Sequence, residues 1–547
     1  MSKRSGARQL SLWMNGQRVG VWAVVVGVDE LTYDASWVQS AQARPLSLSL
    51  PFTPGHQAHR GPLVRAYFEN LLPDSQAIRE RLARRFRASS LGAFDLLSEI
   101  GRDCVGALQI LSVNESPGEL RLIEARPMNE AGVASAIRTS LAQSALNAQD
   151  EDDFRISIAG AQEKTALLWQ EGQWWQPLGA TPTSHILKLP LGLVGNIRLD
   201  LSHSVENEWL CSLLLEAFGL PVPRSHPLLF EGLKVLAVER FDRRWAMHGS
   251  RSWLQRLPQE DMCQATGTPA RAKYEAEGGP GIDRILEVLN GSSQRLHDRE
   301  NFFKAQLMFW MLCAPDGHAK NFSIALHAGG AYSLTPFYDV KFAYPVLGKG
   351  SRQLSSHKVK KAMALRSKIT HWRMREILGR HWLELGQRHG IVSESGLRAT
   401  HLIEQMADRT PSAIELVSAK LPKDFPSQIS SSIFEGLDRA ARLLRSWVLL
   451  SPVDWCGRCR PHARHLNDDF FTLGTIVVNL IAIVHYIASS RRGHRALGVK
   501  FLAGAHPPST GDHCEKTVMR MKVRATHIAG KPFQANHIDT RLRGVAE

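Results

Sequence analysis

The stretch DGHAKN (316–321) directly follows an apolar run, RENFFKAQLMFWMLC (299–313), whose hydrophobic residues recur with helical spacing. Asp316 and Asn321 are therefore predicted to lie in a loop after an apolar helix. Asp-x4-Asn is the spacing of a protein-kinase catalytic loop, in which the aspartate accepts the proton of the substrate hydroxyl and the asparagine binds a magnesium ion. The same spacing occurs by chance, and an aspartate before a glycine is ordinarily a turn residue.

Four further elements occur in the order in which a protein kinase has them. SIAGAQEK (157–164) places small residues in a turn between two strands, where backbone N–H groups can approach a phosphate. Lys188 is a lone cation in the strand HILKLP, and Glu208 lies in the next helix. Asp339 ends a strand-like run 18 residues after the loop and would be the second magnesium ligand. Each element alone also has a purely structural explanation: a ligand-free hairpin, a solvent-facing lysine or a turn. All of the elements together, in the order of a protein kinase, predict an ATP-dependent phosphotransferase.

Composition and charge narrow the class of protein. The 547 residues are 44% hydrophobic, which excludes a disordered chain, and this length predicts two to four domains. The net charge is +15, but residues 448–547 hold 14 Lys and Arg against 7 Asp and Glu, so this stretch carries +7 of it. Seven cysteines in a chain of this length predict reduced thiols rather than a disulfide framework. The N-terminus has no apolar signal segment, so a cytoplasmic location is expected.

The pattern along the chain predicts an α+β protein. Asn15-Gly16 between two alternating apolar runs predicts a β-hairpin, which opens a small α+β unit over 1–115. The polar stretch 116–153 is expected to be a linker. Residues 154–447 change from strand patterns to long helical patterns, which predicts a β-rich lobe followed by an all-helical lobe.

The last stretch, 448–547, is predicted to be an atypical basic extension. Within it, FFTLGTIVVNLIAIVHYIASS (470–490) is long enough to span a bilayer, but Asn479 and His485 near its middle oppose insertion. A membrane anchor therefore remains the less favoured interpretation. Two cysteines and two histidines at 456–465 have residue types that bind zinc, but their spacing is too short for an ordinary zinc finger.

Several long motifs resemble the HipA family of serine/threonine kinase toxins. The resemblance extends roughly over residues 8–447, including the opening hairpin. It rests on the motifs ENLLPDS, FDLLSEIGRD, SIAGAQEKTALL, HILKLP, LAVERFDRRW, LQRLPQEDMCQ, GGPG, DGHAKNFSI and LTPFYDV. It implies a two-lobed protein-kinase-like fold that uses ATP and Mg2+.

The resemblance also assigns roles to individual residues. It implies that Asp316 is the catalytic proton acceptor, that Asn321 and Asp339 bind the metal, and that Ser157 is autophosphorylated. The remaining residues that it implies for ATP binding are Ala159, Gly160, Ala161, Gln162, Glu163 and Lys164 in the phosphate loop, Lys188, Glu239, Arg240 and Phe241 at the hinge for adenine, and His318, Ala319, Lys320, Asn321, Tyr338 and Asp339.

The same resemblance implies partners and a cellular role. The expected partners are a HipB-like antitoxin, operator DNA bound through the antitoxin complex, and glutamyl-tRNA synthetase as the protein whose serine is phosphorylated. Growth inhibition, persistence and inactivating autophosphorylation would follow. The alternative function is a non-catalytic module that binds the antitoxin as a corepressor. Intact Asp316, Asn321, Asp339 and Lys188 argue for catalysis, since a decayed kinase usually loses one of them.

Overall fold

The computed structural model describes residues 8–142, 164–249 and 251–448. The predicted autophosphorylation residue Ser157 and the loop residues 159–163 lie outside these ranges. Residues 449–547, with the apolar run 470–490 and the cysteines and histidines at 456–465, also lie outside them. In the part of the chain that is described, no helix combines the length and the apolar character that crossing a bilayer requires.

The first sheet forms around the predicted hairpin, which is confirmed. Asn15 and Gly16 both have positive φ (44° and 81°), as a tight hairpin turn between two strands requires. The strands are β1 (Arg8–Met14), β2 (Gln17–Val25), β3 (Val28–Tyr33), β4 (His59–Arg60) and β5 (Leu108–Ser112), in the order β4-β3-β2-β1-β5. The helices are α1 (Ala35–Val38), α2 (Pro62–Glu69), α3 (Gln76–Phe86) and α4 (Ala93–Ile100). Residues 8–112 are called the N-terminal subdomain below.

A second, six-stranded sheet follows. Its members are β6 (Ala125–Met128), β7 (Lys164–Gln170), β8 (Gln173–Pro177), β9 (His185–Lys188), β12 (Ser225–Phe230) and β13 (Leu233–Glu239), in the order β12-β13-β9-β7-β8-β6. The accompanying elements are α5 (Glu130–Ala142), the hairpin β10 (Gly192–Val194) and β11 (Leu199–Leu201), and α6 (Ser204–Ala217).

The prediction of a linker over 116–153 is wrong for the described part of that stretch. Strand β6 pairs with β8 at the edge of the second sheet. Helix α5 buries Val133, Ala134 and Ile137 against Leu187 and other apolar residues of the same sheet. The overall polarity of the segment concealed these apolar residues.

The second half of the chain contains helices and short strands. The strands are β14 (Arg243–His248), β15 (Arg251–Arg256), β16 (Gln259–Asp261), β17 (Ser323–Leu326), β18 (Tyr332–Leu334), β19 (Lys360–Arg366) and β20 (Thr370–Arg373). The helices are α7 (Met262–Ala265), α8 (Ile282–Val288), α9 (Arg295–Met311), α10 (Gly379–Arg388), α11 (Ala399–Lys420) and α12 (Ser427–Val448). The prediction of an all-helical half is therefore wrong in this detail. The strands lacked a clear period-2 pattern because β16 and β18 are only three residues long and β19 is buried at five successive positions.

Helix α9 lies at the centre of the largest apolar cluster. Phe302, Phe303, Leu307 and Met308 are fully buried, and the cluster includes residues of α6, α10, α11 and α12. The four cysteines in the described residues, Cys104, Cys211, Cys263 and Cys313, are buried and free, as predicted.

A buried ionic cluster joins the N-terminal subdomain to the rest of the chain. Asp103 accepts from Arg243 at 2.8 Å and from Arg256 at 3.2 Å, and the guanidinium of Arg240 is 2.7 Å from Asp242. Asp242 also accepts the backbone N–H of Gly106 at 2.7 Å. Replacing one member of this cluster by a neutral residue would leave an uncompensated buried charge at the joint.

Candidate active site

The DGHAKN loop is held against the end of α9. The backbone at Cys313 is left-handed (φ 50°), which turns the chain out of the helix. Gly317 lies so close to the ring of Phe309 that a Cβ at this position would be 2.6 Å from it. A larger residue than glycine therefore does not fit, and Asp316 is fixed beside the helix end.

Asp316 is a buried carboxylate with a tyrosine donor. Its side chain accepts a hydrogen bond from Tyr274 Oη at 2.6 Å, and the residue is only 5% exposed. Burial raises the pKa of Asp316 to about 7, although the Tyr274 hydrogen bond and the positive charge of Lys273 partly oppose this rise. A general base with a pKa near the working pH is well suited to accept a proton.

Two further loop residues lie beside this carboxylate. Asn321 Nδ2 donates to the carbonyl oxygen of Asp316 at 2.7 Å, which fixes the loop conformation. The ring of His318 packs edge-on against Tyr274 at 5.0 Å, and its Nε2 lies 4.0 Å from Asp316 Oδ1. Burial lowers the pKa of His318 to about 3, so the ring is neutral. Within the described residues neither ring nitrogen has a hydrogen-bond partner, as expected of a side chain that meets a polar ligand.

Two lysines and two carboxylates alternate next to this loop. Lys188 Nζ is 2.5 Å from Glu208 Oε1 and 2.9 Å from Asp339 Oδ1. Lys341 Nζ contacts the same two carboxylates, at 3.0 Å from Glu208 Oε2 and in a close ion pair with Asp339. Burial by itself raises the pKa of Asp339, but the two lysines outweigh it and hold that pKa well below its usual range. The ion pair of Lys188 with Glu208 thus joins two of the elements that occur in kinase order in the sequence.

The strand register explains why Lys188 faces this cluster. In β9, Lys188 lies opposite Leu236 of β13 and Lys164 of β7, whereas its neighbour Leu187 packs on the other face against α5. Successive side chains of a strand alternate between faces, so Lys188 and Lys164 share one face. Lys164 is the last residue of the predicted phosphate loop and the one member of that loop within the described ranges, and the strand register brings it next to Lys188.

Asp339 has a strained backbone. Its φ is 60°, in the left-handed region that non-glycine residues rarely adopt. Such conformations persist where the surrounding contacts demand them, and they concentrate at functional sites. The two lysine contacts described above provide these constraints.

The residues predicted to form the hinge and to bind adenine do not share one environment. The ring of Phe241 lies 5.5 Å from that of Tyr338, whose hydroxyl donates to the Lys320 carbonyl at 2.9 Å. The Arg240 guanidinium instead bonds to Asp242 in the buried joint, and its backbone N–H donates to the Ser184 carbonyl at 2.9 Å. Glu239 is exposed at the end of β13.

Sequence reasoning missed three residues of this region: Lys341, Tyr274 and Asp74. Asp74 belongs to the N-terminal subdomain, yet its Oδ2 is 2.8 Å from Lys273 Nζ and its Oδ1 is 2.8 Å from Lys320 Nζ. Burial favours the protonated form of Asp74, but the two lysines dominate and lower its pKa to about 2. The motif ENLLPDS contained Asp74, but nothing in its local pattern indicated a contact with the catalytic loop.

The residues present fit a magnesium site. Mg2+ is bound through oxygen atoms, usually by one or two carboxylates together with substrate phosphates and water. Asp339 supplies a carboxylate kept ionised by its lysines, and Asn321 supplies an amide oxygen from a side chain whose nitrogen is already bonded to the loop. Among the described residues there is no group of three or more His, Cys, Asp or Glu side chains that would form an all-protein metal cage.

Comparison with known families matches two regions of the chain. Residues 10–111 match the HipA N-terminal domain, and residues 156–414 match the HipA-like C-terminal domain. The first range corresponds to the N-terminal subdomain, and the second contains five of the six strands of the second sheet together with Asp316, Asn321 and Asp339.

Individual relatives agree with this match. Y4mE of Sinorhizobium fredii, a kinase by inference, is 30% identical over 75% of this chain and 92% of its own length. The serine/threonine-protein kinase toxin HipA of Shewanella oneidensis is 27% identical over 56% of this chain and 68% of its own length. A solved complex of HipA, HipB and operator DNA from the Shewanella oneidensis MR-1 toxin–antitoxin system contains a similar fold. It gives a TM-score of 0.65 at 22% identity and covers 80% of this chain and 97% of that one. The resemblance inferred from the motifs is thereby confirmed, and the chain belongs to the HipA family of serine/threonine-protein kinase toxins.

Proposed function

We propose that this kinase transfers the γ-phosphate of ATP to a serine hydroxyl, with Asp316 as the catalytic base. The observation that carries this proposal is the buried carboxylate of Asp316, whose pKa is raised to about 7 and which lies beside a cluster of phosphate-binding type. A carboxylate that is ionised near pH 7 can take up the serine proton as the hydroxyl attacks.

The proposed phosphoryl transfer forms one bond and breaks another. A bond forms between serine Oγ and the γ-phosphorus, the bond between that phosphorus and the β–γ bridging oxygen breaks, and ADP leaves. The serine proton passes to Asp316. Lys188 and Lys341 lie where they can balance the negative charge of the phosphates, while Asp339 and Asn321 would hold Mg2+. When bound, Mg2+ would neutralise charge on the transferred group and orient it.

A two-lobed arrangement of the kinase type accounts for the distribution of these residues. The second sheet contributes Lys164 and Lys188, and the loop after α9 contributes Asp316 and Asn321. In this arrangement the segment 239–241 and the rings of Phe241 and Tyr338 hold adenine. His318, Ala319 and Lys320 line the phosphate side. The loop residues 159–163 would complete that side.

The substrate and partners follow from the family and from the named relatives. We propose glutamyl-tRNA synthetase as the phosphorylated protein, so that blocked tRNA charging slows growth and promotes persistence in the cytoplasm. A HipB-like antitoxin is proposed to bind the chain and to link it to operator DNA, since the solved relative is described in complex with HipB and its operator DNA.

Autophosphorylation of Ser157 is proposed as an off-switch. A phosphate there adds nearly two negative charges beside the amides that would bind ATP phosphates, so the loop would lose its nucleotide. The test is to compare ATP affinity between chain phosphorylated at Ser157 and unmodified chain. Equal affinity, or phosphate on other serines but never on Ser157, would contradict the switch.

The catalytic proposal is tested with labelled ATP, Mg2+ and purified aminoacyl-tRNA synthetases, followed by mapping of the labelled serine. Asp316→Asn keeps the size of the side chain but removes the base, so transfer should fall by roughly two or more orders of magnitude while ATP still binds. Near wild-type transfer by this variant would exclude Asp316 as the base. No transfer by the wild-type chain to any acceptor, together with intact antitoxin binding, would favour the corepressor alternative.

A further inference from the structure

Asp74 connects the N-terminal subdomain to the two segments that support Asp316. It lies in the loop between α2 and α3, and each of its carboxylate oxygens is paired with one lysine. Lys273 directly precedes Tyr274, the donor to the Asp316 carboxylate. Lys320 directly precedes Asn321, which is the donor to the Asp316 carbonyl. The Asp74 carboxylate therefore fixes Lys273 and Lys320, the sequence neighbours of the two residues that hydrogen-bond to Asp316.

The loop that carries Asp74 is itself fixed. Asn70 Nδ2 donates to the carbonyl of Thr268 at 2.9 Å, which attaches the end of α2 to the segment before Lys273. Arg79 Nε donates to the carbonyl of Pro73 at 2.7 Å, and Ser75 caps α3. Asp74 is thus presented from a rigid support rather than from a loose surface loop.

Loss of the Asp74 carboxylate should affect the catalytic loop more than it affects ATP binding. Lys273 and Lys320 are nearly buried, with side chains 7% and 14% exposed, and both point at Asp74. Without that carboxylate, both lysines would lose an acceptor that they share, so the loop beside Asp316 would lose its alignment. Lys188 and Lys341 do not contact Asp74 and would still be available to the phosphates of ATP.

We infer that Asp74 is a positioning residue for phosphoryl transfer: the N-terminal subdomain aligns the catalytic loop through the Lys273 and Lys320 ion pairs. This inference rests on the proposed kinase function of the same site. It assigns to the N-terminal subdomain a direct part in the rate of the reaction, separate from any part in binding a protein partner. A misplacement of about 1 Å at a catalytic group can cost up to about 100-fold in rate, so a loss of this contact is measurable.

The test uses the full chain with Asp74→Asn, which has the same shape without the charge, and Asp74→Glu, which restores the carboxylate. We expect Asp74→Asn to lower kcat at least tenfold with KM for ATP unchanged or lower. Asp74→Glu should recover at least a third of the lost rate. Arg44→Gln is the matched control, because Arg44 Nη1 also bonds across the same joint, to the Leu326 carbonyl at 3.1 Å, but contacts no loop residue. Its kcat should stay within twofold of wild type.

A second measurement does not depend on activity. Amide hydrogen exchange in Asp74→Asn should increase in peptides that contain 273–274 and 316–321 and stay unchanged in α10, whereas Arg44→Gln should change neither region. Unaltered kcat and unaltered exchange in Asp74→Asn would overturn the inference, as would equal effects in Arg44→Gln. A wild-type chain that transfers no phosphate would contradict the proposed function instead, and the exchange data would still decide the role of Asp74.

Discussion

Tyr274 Oη lies 2.6 Å from the carboxylate of Asp316 and donates a hydrogen bond to it. The tyrosine comes from the segment just before the GGPG loop, 42 positions earlier in the chain. Its hydrogen bond favours the ionised carboxylate and so counteracts part of the effect of burial on the Asp316 pKa. Tyr274 therefore adjusts the pH at which the proposed base becomes active.

Removing this hydroxyl should shift the pH dependence of transfer. In Tyr274→Phe the ionised form of Asp316 loses a donor, so its pKa rises above about 7. Because the base acts when deprotonated, the acidic limb of the rate profile should move to higher pH and the rate at pH 7 should fall several-fold. Single-turnover transfer between pH 5.5 and 9 measures this. Tyr344→Phe is the control, since Tyr344 Oη donates only to structural carbonyls of Met311 and Gly436. An unshifted limb in Tyr274→Phe would contradict the assignment.

Asp339→Ala should separate metal-dependent from metal-independent nucleotide binding. Affinity for a non-hydrolysable ATP analogue with Mg2+ should fall at least tenfold, because the carboxylate proposed to bind the metal is lost. Without Mg2+ the affinity should not fall, since Lys188 and Lys341 lose one of the two carboxylates that they contact and keep only Glu208 as a competitor for phosphate. Calorimetric titration measures both. Asp408→Ala, which removes a surface ion pair with Arg445, is the control and should change neither affinity. Equal affinities of wild type and Asp339→Ala with Mg2+ would remove Asp339 from the metal site.

Glu260 should make stability depend on pH. Its carboxyl is buried and accepts the backbone N–H of Leu48 at 2.8 Å, and burial raises its pKa to about 8. Below the unfolded pKa of about 4.5 both states are protonated. As the pH rises from there towards 8, the unfolded chain loses the proton while the folded chain retains it. Wild type should therefore lose up to about 1.4 kcal/mol per pH unit of stability relative to Glu260→Gln over this interval.

Unfolding midpoints of wild type and Glu260→Gln, compared from pH 4.5 to 9, test this expectation. The advantage of Glu260→Gln should grow with pH and level off above about 8. Glu384→Gln, at an exposed position of α10, should follow wild type at every pH. A constant difference between wild type and Glu260→Gln across the range would show that Glu260 is ionised in the folded chain.

A chain ending at Ser451 should remain an active kinase. Residues up to 451 form one compact unit that contains every described element and the whole candidate site. The expected result is a rate of transfer within twofold of the full chain, with an unchanged unfolding midpoint. An inactive shortened chain would make the basic extension part of the catalytic unit. Full chain that sediments with lipid vesicles, when the shortened chain does not, would support the membrane-anchor interpretation of 470–490.

The sequence was most informative where chemistry requires a fixed order of residues. Lys188, Glu208, Asp316 and Asp339 could be chosen because a kinase needs these types in that succession, and the structure brings their side chains to one region. Asp74 could not be chosen in this way, because its partners lie 199 and 246 positions away and an ion pair leaves no periodic trace in a sequence.

Secondary structure was predictable where a local sequence pattern determines it. The Asn15-Gly16 hairpin has a local steric signature, so it was predicted correctly. Strand β19 was missed because both of its faces are buried, which removes the alternation on which strand prediction depends. Helix α5 was missed because its described buried residues, Val133, Ala134 and Ile137, lie within a stretch that is polar overall.

The cluster of Asp103 with Arg243 and Arg256 limits how this chain can change during evolution. A gene that encoded only the catalytic part would leave Arg243 and Arg256 at the former joint without Asp103. A gene that encoded only the first 112 residues would leave Asp103 without its arginines. Neither fragment is a stable starting point for recombination with other domains, so the two parts are expected to be gained and lost together.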